Sequence, residues 1–407
     1  VQTTEIRPAP GGAAESGFLR GTNQSGMRDH NERLVLSLLR RHGGLAKTDI
    51  ARLTQLSVQT ISVIMRALEA DGLLLRREPV RGRVGQPSVP MALNPDGAFF
   101  FGLKIGRRSA ELVLIDFLGN IRAMRQLSYR YPTPRETTAF ALDDVAAIRS
   151  ALPPEQDRRI AGLGIAIPFE LWNWADTVGA PHEAMDAWRG ADIKADIQSR
   201  HDFPVYLQND ATAACGAELV FGQSGGLSDF LYFYIGAFVG GGVVLNGALH
   251  AGRTGNAGAL GSMPVPGPGG KPVQLIDAAS LATLEKSLAA RGIDASFLWQ
   301  KPADWDWLGS DLDLWIATAA NALAHAIVSA SAVIDFEAAV IDGWMPRTVR
   351  ARLAEAVRAA FGQIDTAGIA LPHLREGTVG VDARSLGAAS LPLCERFLVG
   401  APLAAAT

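Results

Sequence analysis

Gln59, Thr60, Ser62 and Arg66 have the types and the spacing to read a nucleic acid. They lie beside Val58, Ile61, Met65 and Leu68, which recur at three- and four-residue steps and predict one buried helical stripe. Ser57 stands just ahead of them, where an N-cap belongs. Short polar side chains near the start of such a helix reach base edges in a major groove. Further on, Arg81-Gly-Arg-Val-Gly-Gln86 is a basic, glycine-rich tip, and its Arg81, Arg83 and Gln86 would follow a phosphate backbone or enter a minor groove. Arg66 would hold phosphate in the same way. An ordinary helical hairpin with a solvated basic loop would use similar residues. The order of turn, cap, stripe and wing favours the nucleic-acid reading.

These residues need a frame. Thr48 to Leu53 predicts a short amphipathic helix, Thr54-Gln-Leu56 a turn, and Asp71-Gly72 the stop of the second helix near Ala70. Leu73 to Arg77 and Pro87 to Leu93 predict two strands flanking the basic tip, which completes a winged helix-turn-helix. An earlier helix over Asn31 to Arg41 would face Leu34, Val35, Leu38 and Leu39 inward and end at His42-Gly-Gly44. Residues 1–26 are rich in small and polar types and predict a flexible arm. Asn94-Pro-Asp-Gly97 is a turn cluster, so the chain divides into 1–26, a head over 27–93, and a body over 94–407.

Charge follows the same division. The whole chain has 407 residues and a net charge of −3, yet Arg28 to Leu93 holds 11 Lys/Arg against 6 Asp/Glu. A basic head on an acidic body suits a protein whose head alone meets phosphates. Hydrophobic residues at 48% and charged residues at 19% describe an ordinary globular chain with room for more than one core. The two cysteines, Cys215 and Cys394, are far apart and have no metal-knuckle spacing, which fits a reduced cytoplasmic setting without a structural disulfide. His250 and His325 have no partner at metal spacing. No secretory signal and no apolar run long enough to span a bilayer is read, so no membrane partner is expected.

The body changes grammar. Strands are predicted at Phe99 to Ile105, Ala110 to Asp116, Ile121 to Tyr129, Gly162 to Ile167 and Val205 to Gln208, with helices at Glu136 to Leu152 and Asp210 to Val220. The strand–turn–strand pattern recurs at Asp229 to Ile235, a glycine-rich turn at Gly236 to Gly242, Val243 to Leu245, and Ala248 to His250. Two like units about 130 residues apart predict a duplicated α/β fold with a cleft between its halves. Helices follow at Leu275 to Arg291, Leu312 to Ala332, Pro346 to Phe361 and from Ser385, with a buried strand ending at Val340-Ile-Asp-Gly343.

Leu207-Gln-Asn-Asp-Ala211, Leu245-Asn-Gly247 with Gly255-Asn-Ala-Gly258, and the head followed by Gly85-Gln-Pro87 together resemble the ROK family (repressors, open reading frames, kinases), and specifically its transcription-factor branch. The resemblance implies an actin/hexokinase-like (ribonuclease H-like, duplicated) body of two α/β lobes with sugar in the interlobe cleft. It places Asp210 at the family's catalytic aspartate and Asn209 at its sugar-holding neighbour. Phosphoryl transfer needs backbone N–H groups, Mg²⁺ and a base around the phosphates. The family's first phosphate loop, Asp-x-Gly-Gly-Thr, is here Lys104-Ile-Gly-Arg-Arg108. The second, Gly-Thr-Gly-x-Gly, is Gly236-Ala-Phe-Val-Gly240, and a Gly-Gly turn beside the nucleotide is Asp342-Gly343. All these departures strike the nucleotide side, so kinase activity is expected to be lost. Gly-Glu-x-Gly-His becomes Gly258-Ala-Leu-Gly-Ser262, and the zinc motif becomes Pro264-Val-Pro-Gly-Pro-Gly-Gly-Lys271 without a thiol, so neither metal nor cofactor is expected.

An amide and a carboxylate suit vicinal hydroxyls, so Asn209 and Asp210 are expected to hold an effector, although either would also cap the helix that follows. Lys104 is expected beside Asp210 across the cleft, or else as a surface lysine. Trp172 and Trp174 would line the cleft or the core. Gly258, His182 and Glu183 complete the expected effector contacts. Trp299, Trp305, Trp307 and Trp315 read as lobe packing or a subunit interface. The expected function is a sugar-responsive repressor acting as a homodimer or homotetramer on a double-stranded operator. The competing readings are an ATP-dependent sugar kinase with a regulatory head, and a DNA-binding regulator without an effector.

Overall fold

A computed structural model of the protein describes residues 24–79, 89–175, 179–223, 226–267, 270–300 and 302–400. Helix α1 covers Gln24–His42, longer at its start than the sequence predicts, and includes the last residues of the expected arm; the rest of that arm lies outside the described residues. It ends at Gly43, whose φ of +73° an L side chain rarely adopts. Helices α2 (Lys47–Thr54) and α3 (Val58–Ala70) follow, separated by a turn in which Gln55 is left-handed. Ser57 caps α3: its Oγ accepts from Thr60 N at 3.0 Å.

The buried face of α3 is Ile61, Ile64, Met65 and Leu68. Val58 is not in it and stays 49% exposed, because it opens the helix at the edge of that stripe. On α1 the buried residues are Val35, Leu36 and Leu39, with Leu34 and Leu38 only half-buried. Leu36 is covered because α1 is gripped from two sides. The head's core runs without a break into Phe100, Phe117 and Phe397 of the body. Strands β1 (Leu74–Arg76) and β2 (Met91–Leu93) pair antiparallel and are shorter than expected. The intervening tip with Arg81, Arg83 and Gln86 lies outside the described residues.

The chain enters the body through the turn at Pro95–Gly97, where Asn94 Nδ2 donates to Gly72 O at 2.7 Å. Arg159 Nη1 donates to Asp71 O and Gly97 O, both at 3.0 Å, so the head is hydrogen-bonded to the body as well as packed on it. Strands β3 (Phe99–Ile105), β4 (Ser109–Ile115) and β5 (Ile121–Ser128) form an antiparallel meander. Helix α4 (Pro134–Ala151) carries the chain back to β6 (Ile160–Ile167), which runs parallel to β3. The short helices α5 (His182–Asp186) and α6 (Ile193–Gln198) lead to β7 (Val205–Asn209), giving the order β5-β4-β3-β6-β7. Strand β3 is buried along its whole length, as a strand covered on both faces requires.

Helix α7 (Asp210–Phe221) crosses to the second lobe. Strands β8 (Phe230–Ile235), β9 (Val239–Leu245) and β10 (Ala248–Leu249) repeat the meander, and with β13 (Ala338–Gly343) and β14 (His373–Glu376) the sheet closes as β10-β9-β8-β13-β14. The expected glycine-rich turn over Gly236 to Gly242 is a correction: β9 already begins at Val239. Its glycines serve close approach, since a Cβ on Gly240 would stand 2.7 Å from Ala211 Cβ and one on Gly242 2.5 Å from Cys215 Cβ. A small hairpin, β11 (Pro264–Pro266) with β12 (Pro272–Gln274), occupies the stretch read against a zinc loop.

The helix predicted over Leu275 to Arg291 is two pieces, Ile276–Ala279 and α8 (Leu281–Ala290). It breaks at Ser280, whose backbone is extended and whose Oγ accepts from Val239 N at 3.0 Å while donating to Ile276 O at 2.6 Å. Helix α9 (Ser310–Ser331) corrects the expectation about apolar runs, being long and apolar enough by length and composition to cross a bilayer. Its apolar face is instead filled by the second lobe's core, as in a central packing helix. Strand β13 (Ala338–Gly343), helix α10 (Arg347–Phe361), strand β14 (His373–Glu376) and helix α11 (Ala383–Phe397) complete the body. Helices α7 and α11 lie against each other between the lobes. A Cβ on Gly387 would stand 2.1 Å from Ala213 O, and one on Gly164 would stand 1.9 Å from Ala388 O.

Candidate functional site

Two surfaces gather the residues singled out in the sequence. The first is the outward side of α3. Gln59 and Arg66 are exposed and Ser62 half-buried on the side away from Ile61 and Met65. Arg66 Nε donates to Ser62 O at 3.1 Å, which leaves the rest of the guanidinium outermost. Thr60 has a different place: its Oγ1 lies 2.8 Å from Ser57 Oγ, so Ser57 and Thr60 complete the helix start. Sequence reasoning missed Val63, which is 51% exposed on the same outward side. An exposed valine among polar residues on a solvent-facing helix is the signal that would have found it, since a methyl group is what a thymine edge offers to an apolar contact.

The second is a cleft of about 990 Å³ between the lobes. Asn209, Asp210 and Gly258 line it, as do Trp172, Trp174 and Tyr234. Asn209 caps α7, its Oδ1 accepting from Ala211 N at 3.1 Å and Thr212 N at 3.3 Å. Capping and cleft-lining are thus both met by one side chain. Asp210 pairs with Arg384 Nη1 at 3.2 Å. Arg384, on α11, lies 5.0 Å from the Tyr234 ring centroid. Burial alone would lower the Arg384 pKa, but Tyr234, Asp210 and Glu111 hold it above its usual value. Two sealed polar atoms here, Arg384 Nε and Tyr234 Oη, have no protein partner. Nothing in the sequence pointed to Arg384, because 174 residues separate it from Asp210.

Lys104 is not on the surface; Asp210 acts on its charge without a hydrogen bond to it, and its direct partners are others. It is 4% exposed and donates to Glu111 Oε1 at 2.6 Å and Ser109 Oγ at 3.2 Å. The β3–β4 register sets Glu111 directly opposite it, so the hairpin takes the lysine for its own ion pair. Burial pulls the Lys104 pKa down against the pull of Glu111; burial likewise raises Glu111, but Lys104 and Ser385 outweigh it and leave Glu111 lowered.

His182 and Glu183 are a further correction. Both are exposed in the first turn of α5 and absent from the cleft lining, because that helix turns Met185 to the core. Gly258 has φ +81°, and a Cβ there would stand 2.7 Å from Gly242 Cα. Trp305 and Trp315 are buried, whereas Trp307 is 59% exposed.

The segments that depart from the family's phosphate loops make contacts within the protein itself. Arg107, in the turn after β3, pairs with Glu285 Oε2 of α8 at 2.9 Å and lies 5.3 Å from the Trp299 ring centroid, which bridges the two lobes. Phe238 packs edge-on against Trp174 with centroids 4.9 Å apart. Asp342 is fully buried and accepts from Arg350 Nη1 at 2.7 Å, Gly380 N and Gly343 N at 2.9 Å, and Tyr232 Oη at 3.0 Å. A carboxylate held by so many donors has no lone pairs left to spare for a ligand. Among the described residues, no group of three or more His, Cys, Asp or Glu is placed to hold a metal ion.

Comparison with known proteins agrees with this geometry. Residues 100–298 match the ROK family, and residues 28–74 match the winged helix-turn-helix DNA-binding family. The chain is 27% identical over 378 residues to an uncharacterized protein (y4fQ) of Sinorhizobium fredii, covering 91% of this chain and 92% of that one. It is 28% identical over 246 residues to a putative xylose repressor of a Caldicellulosiruptor species, the match covering 60% of each. It is 23% identical over 243 residues to the xylose repressor of Bacillus subtilis, with 60% of this chain and 62% of the repressor covered, so the match spans less than two thirds of either repressor. Among solved structures, a ROK family transcriptional regulator described as a homolog of the E. coli MLC protein superposes with a TM-score of 0.65 at 19% identity, covering 91% of this chain and 97% of its own. A ROK family glucokinase from Streptomyces griseus, in complex with glucose and AMPPNP, gives 0.55 at 19% identity over 72% of this chain and 99% of its own. The fold is therefore shared by regulators and sugar kinases. The chain carries a ROK family domain behind an N-terminal winged helix-turn-helix DNA-binding domain.

Proposed function

We propose that the protein is a sugar-responsive, DNA-binding repressor that has given up phosphoryl transfer. The observation that supports this most is the asymmetry of the cleft. Asn209 and Asp210 still line it, while Arg107, in the loop that matches the family's first phosphate loop, is tied to Glu285, and Phe238, in the second, packs on Trp174. Gln59, Ser62 and Val63 would read base edges, and Arg66, with Arg81, Arg83 and Gln86 of the wing, would hold phosphates or groove. Ser57 and Thr60 set the start of the reading helix. A homodimer, or a homotetramer built from two of them, would place two such helices about 34 Å apart on the two halves of an operator. The setting is the cytoplasm, where the operator is.

Xylose is the first sugar to test, given the names of the similar repressors. A screen of pentoses and hexoses should raise the thermal midpoint for one sugar class by mass action, and Asp210→Asn should weaken that response at least tenfold. No shift with any sugar would remove the effector from the proposal. ATP turnover with any of these sugars in a coupled assay would replace it with the kinase reading. In an operator titration, Arg66→Ala should lower the slope of log affinity against log salt by about 0.9, one phosphate contact, with little change in sequence preference. An unchanged slope would take Arg66 off the backbone.

A further inference from the structure

A second cavity, of about 780 Å³, lies where the head meets the body, away from the interlobe cleft. Its walls come from the end of α1, β2 and Arg77 of the head, the end of α7, β10, and the segment after α11. Leu39, Leu93, Leu219, Leu249 and Leu398 make much of it apolar. Among the described residues the charged lining is all of one sign or neutral: Arg40, Arg41, Arg77 and His42, with no Asp or Glu.

Basic side chains in the last turn of a helix are ordinarily explained by the helix dipole. That accounts for Arg41 and His42, which are exposed. It does not account for Arg40. The Arg40 guanidinium carbon lies 5.6 Å from the Phe117 ring centroid and 5.7 Å from that of Phe221, and Nη2 donates to Phe117 O. Its Nε is sealed from solvent and has no partner. Asp116, the carboxylate that acts on its charge, is already bound to Arg122 at 2.9 Å. Cys394 cannot supply the counter-charge, because burial pushes its thiol up to about 12. Burial without a counter-ion pulls Arg40 itself down to about 10.

We propose that this junction cavity binds a small organic anion, a carboxylate carried on a compact apolar body. The carboxylate pairs with the Arg40 guanidinium and the apolar part fills the leucine-lined wall. A cavity of this size with an apolar lining and a few convergent polar groups has the character of a small-molecule site. A carboxylate supplies the paired acceptors that a guanidinium fork prefers. Because its walls belong to both the head and the body, an occupant bears on how the two sit together. Operator affinity and anion affinity are then linked, each changing the other by the same factor.

The test uses the full chain with benzoate and cyclohexanecarboxylate as probes, and benzyl alcohol and sodium acetate at matched ionic strength as controls. Benzoate should raise the thermal midpoint in a saturable way and change operator affinity, while neither control does so. Amide exchange should slow at Leu39 to Gly43 and Leu219 to Gly222 rather than at Asn209 to Thr212. Arg40→Met should abolish the response. Should that variant fail to fold, Arg41→Gln with Arg77→Gln, both exposed, should weaken benzoate at least tenfold. An equal response to benzyl alcohol, protection confined to the interlobe cleft, full retention in the double variant, or no response to either carboxylate overturns the proposal.

Discussion

Asp342→Ala lowers the stability of the body by about 3 kcal/mol, the lower end of the cost of breaking a buried ion pair. The carboxylate is fully buried and accepts from Arg350, Tyr232, Gly380 and Gly343, so its loss strands four donors at once. Arg350 is itself 6% exposed at its side chain and keeps only a longer contact, 3.3 Å, to Glu376, which holds the cost below the upper end of that range. The change removes the acceptor and opens a hole beside Gly377, where a Cβ would already stand 2.5 Å from Asp342. Denaturant unfolding followed by far-UV dichroism measures the loss. Arg350→Met in the Asp342→Ala background should recover part of it, because the orphaned charge is then gone. A loss below about 1 kcal/mol would mean that Asp342 is not what holds this loop.

Cutting the tie between Arg107 and Glu285 is the second large effect, and it acts on shape. The pair joins the β3–β4 turn to α8 across the mouth of the cleft, with side chains 12% and 24% exposed. Trp299 reinforces it, donating Nε1 to Glu285 Oε1 at 2.8 Å while stacking near Arg107. A charged hydrogen bond in this partly buried setting contributes about 1.5–3 kcal/mol, so Glu285→Ala should favour the open lobes by roughly 10- to 150-fold. Distance distributions from labels on the two lobes should broaden toward longer separations. A ligand that prefers the closed state should lose affinity in proportion to the fall in the closed fraction. Glu285→Gln, which keeps a hydrogen bond and loses the charge, should fall between. Identical distance distributions in all three proteins would show that the lobes close without this pair.

Much of the fold is written locally, and that part was legible in the chain. Strand β3 runs from Phe99 to Ile105 as its apolar run requires, α3 starts at the cap its serine announces, and the first meander falls where alternation and turn residues put it. Where local reading failed, a partner outside the window had intervened. Gly240 and Gly242 read as turn residues, but they are flat strand surface on which α7 rests. Leu36 was not among the residues expected to face inward on α1, yet it is buried in a cluster that the head shares with the body. Ser280 interrupts a helix of even periodicity because Val239 needs its oxygen.

For the candidate site, chain identity and spacing determined which residue types were present and which loops depart from the family's phosphate-loop pattern. They also held one answer that went unread: across a short hairpin Lys104 and Glu111 must face each other, and so they pair. Only the tertiary structure decided that Asp210 meets Arg384, that Arg107 meets Glu285, and that His182 and Glu183 turn away from the cleft. The reason is the range of the forces. Helix periods, caps and pleats act over a few residues and leave a pattern in the order of the chain, whereas a charge chooses its partner by distance in space, which exists only after α7 and α11 have packed between the two sheets.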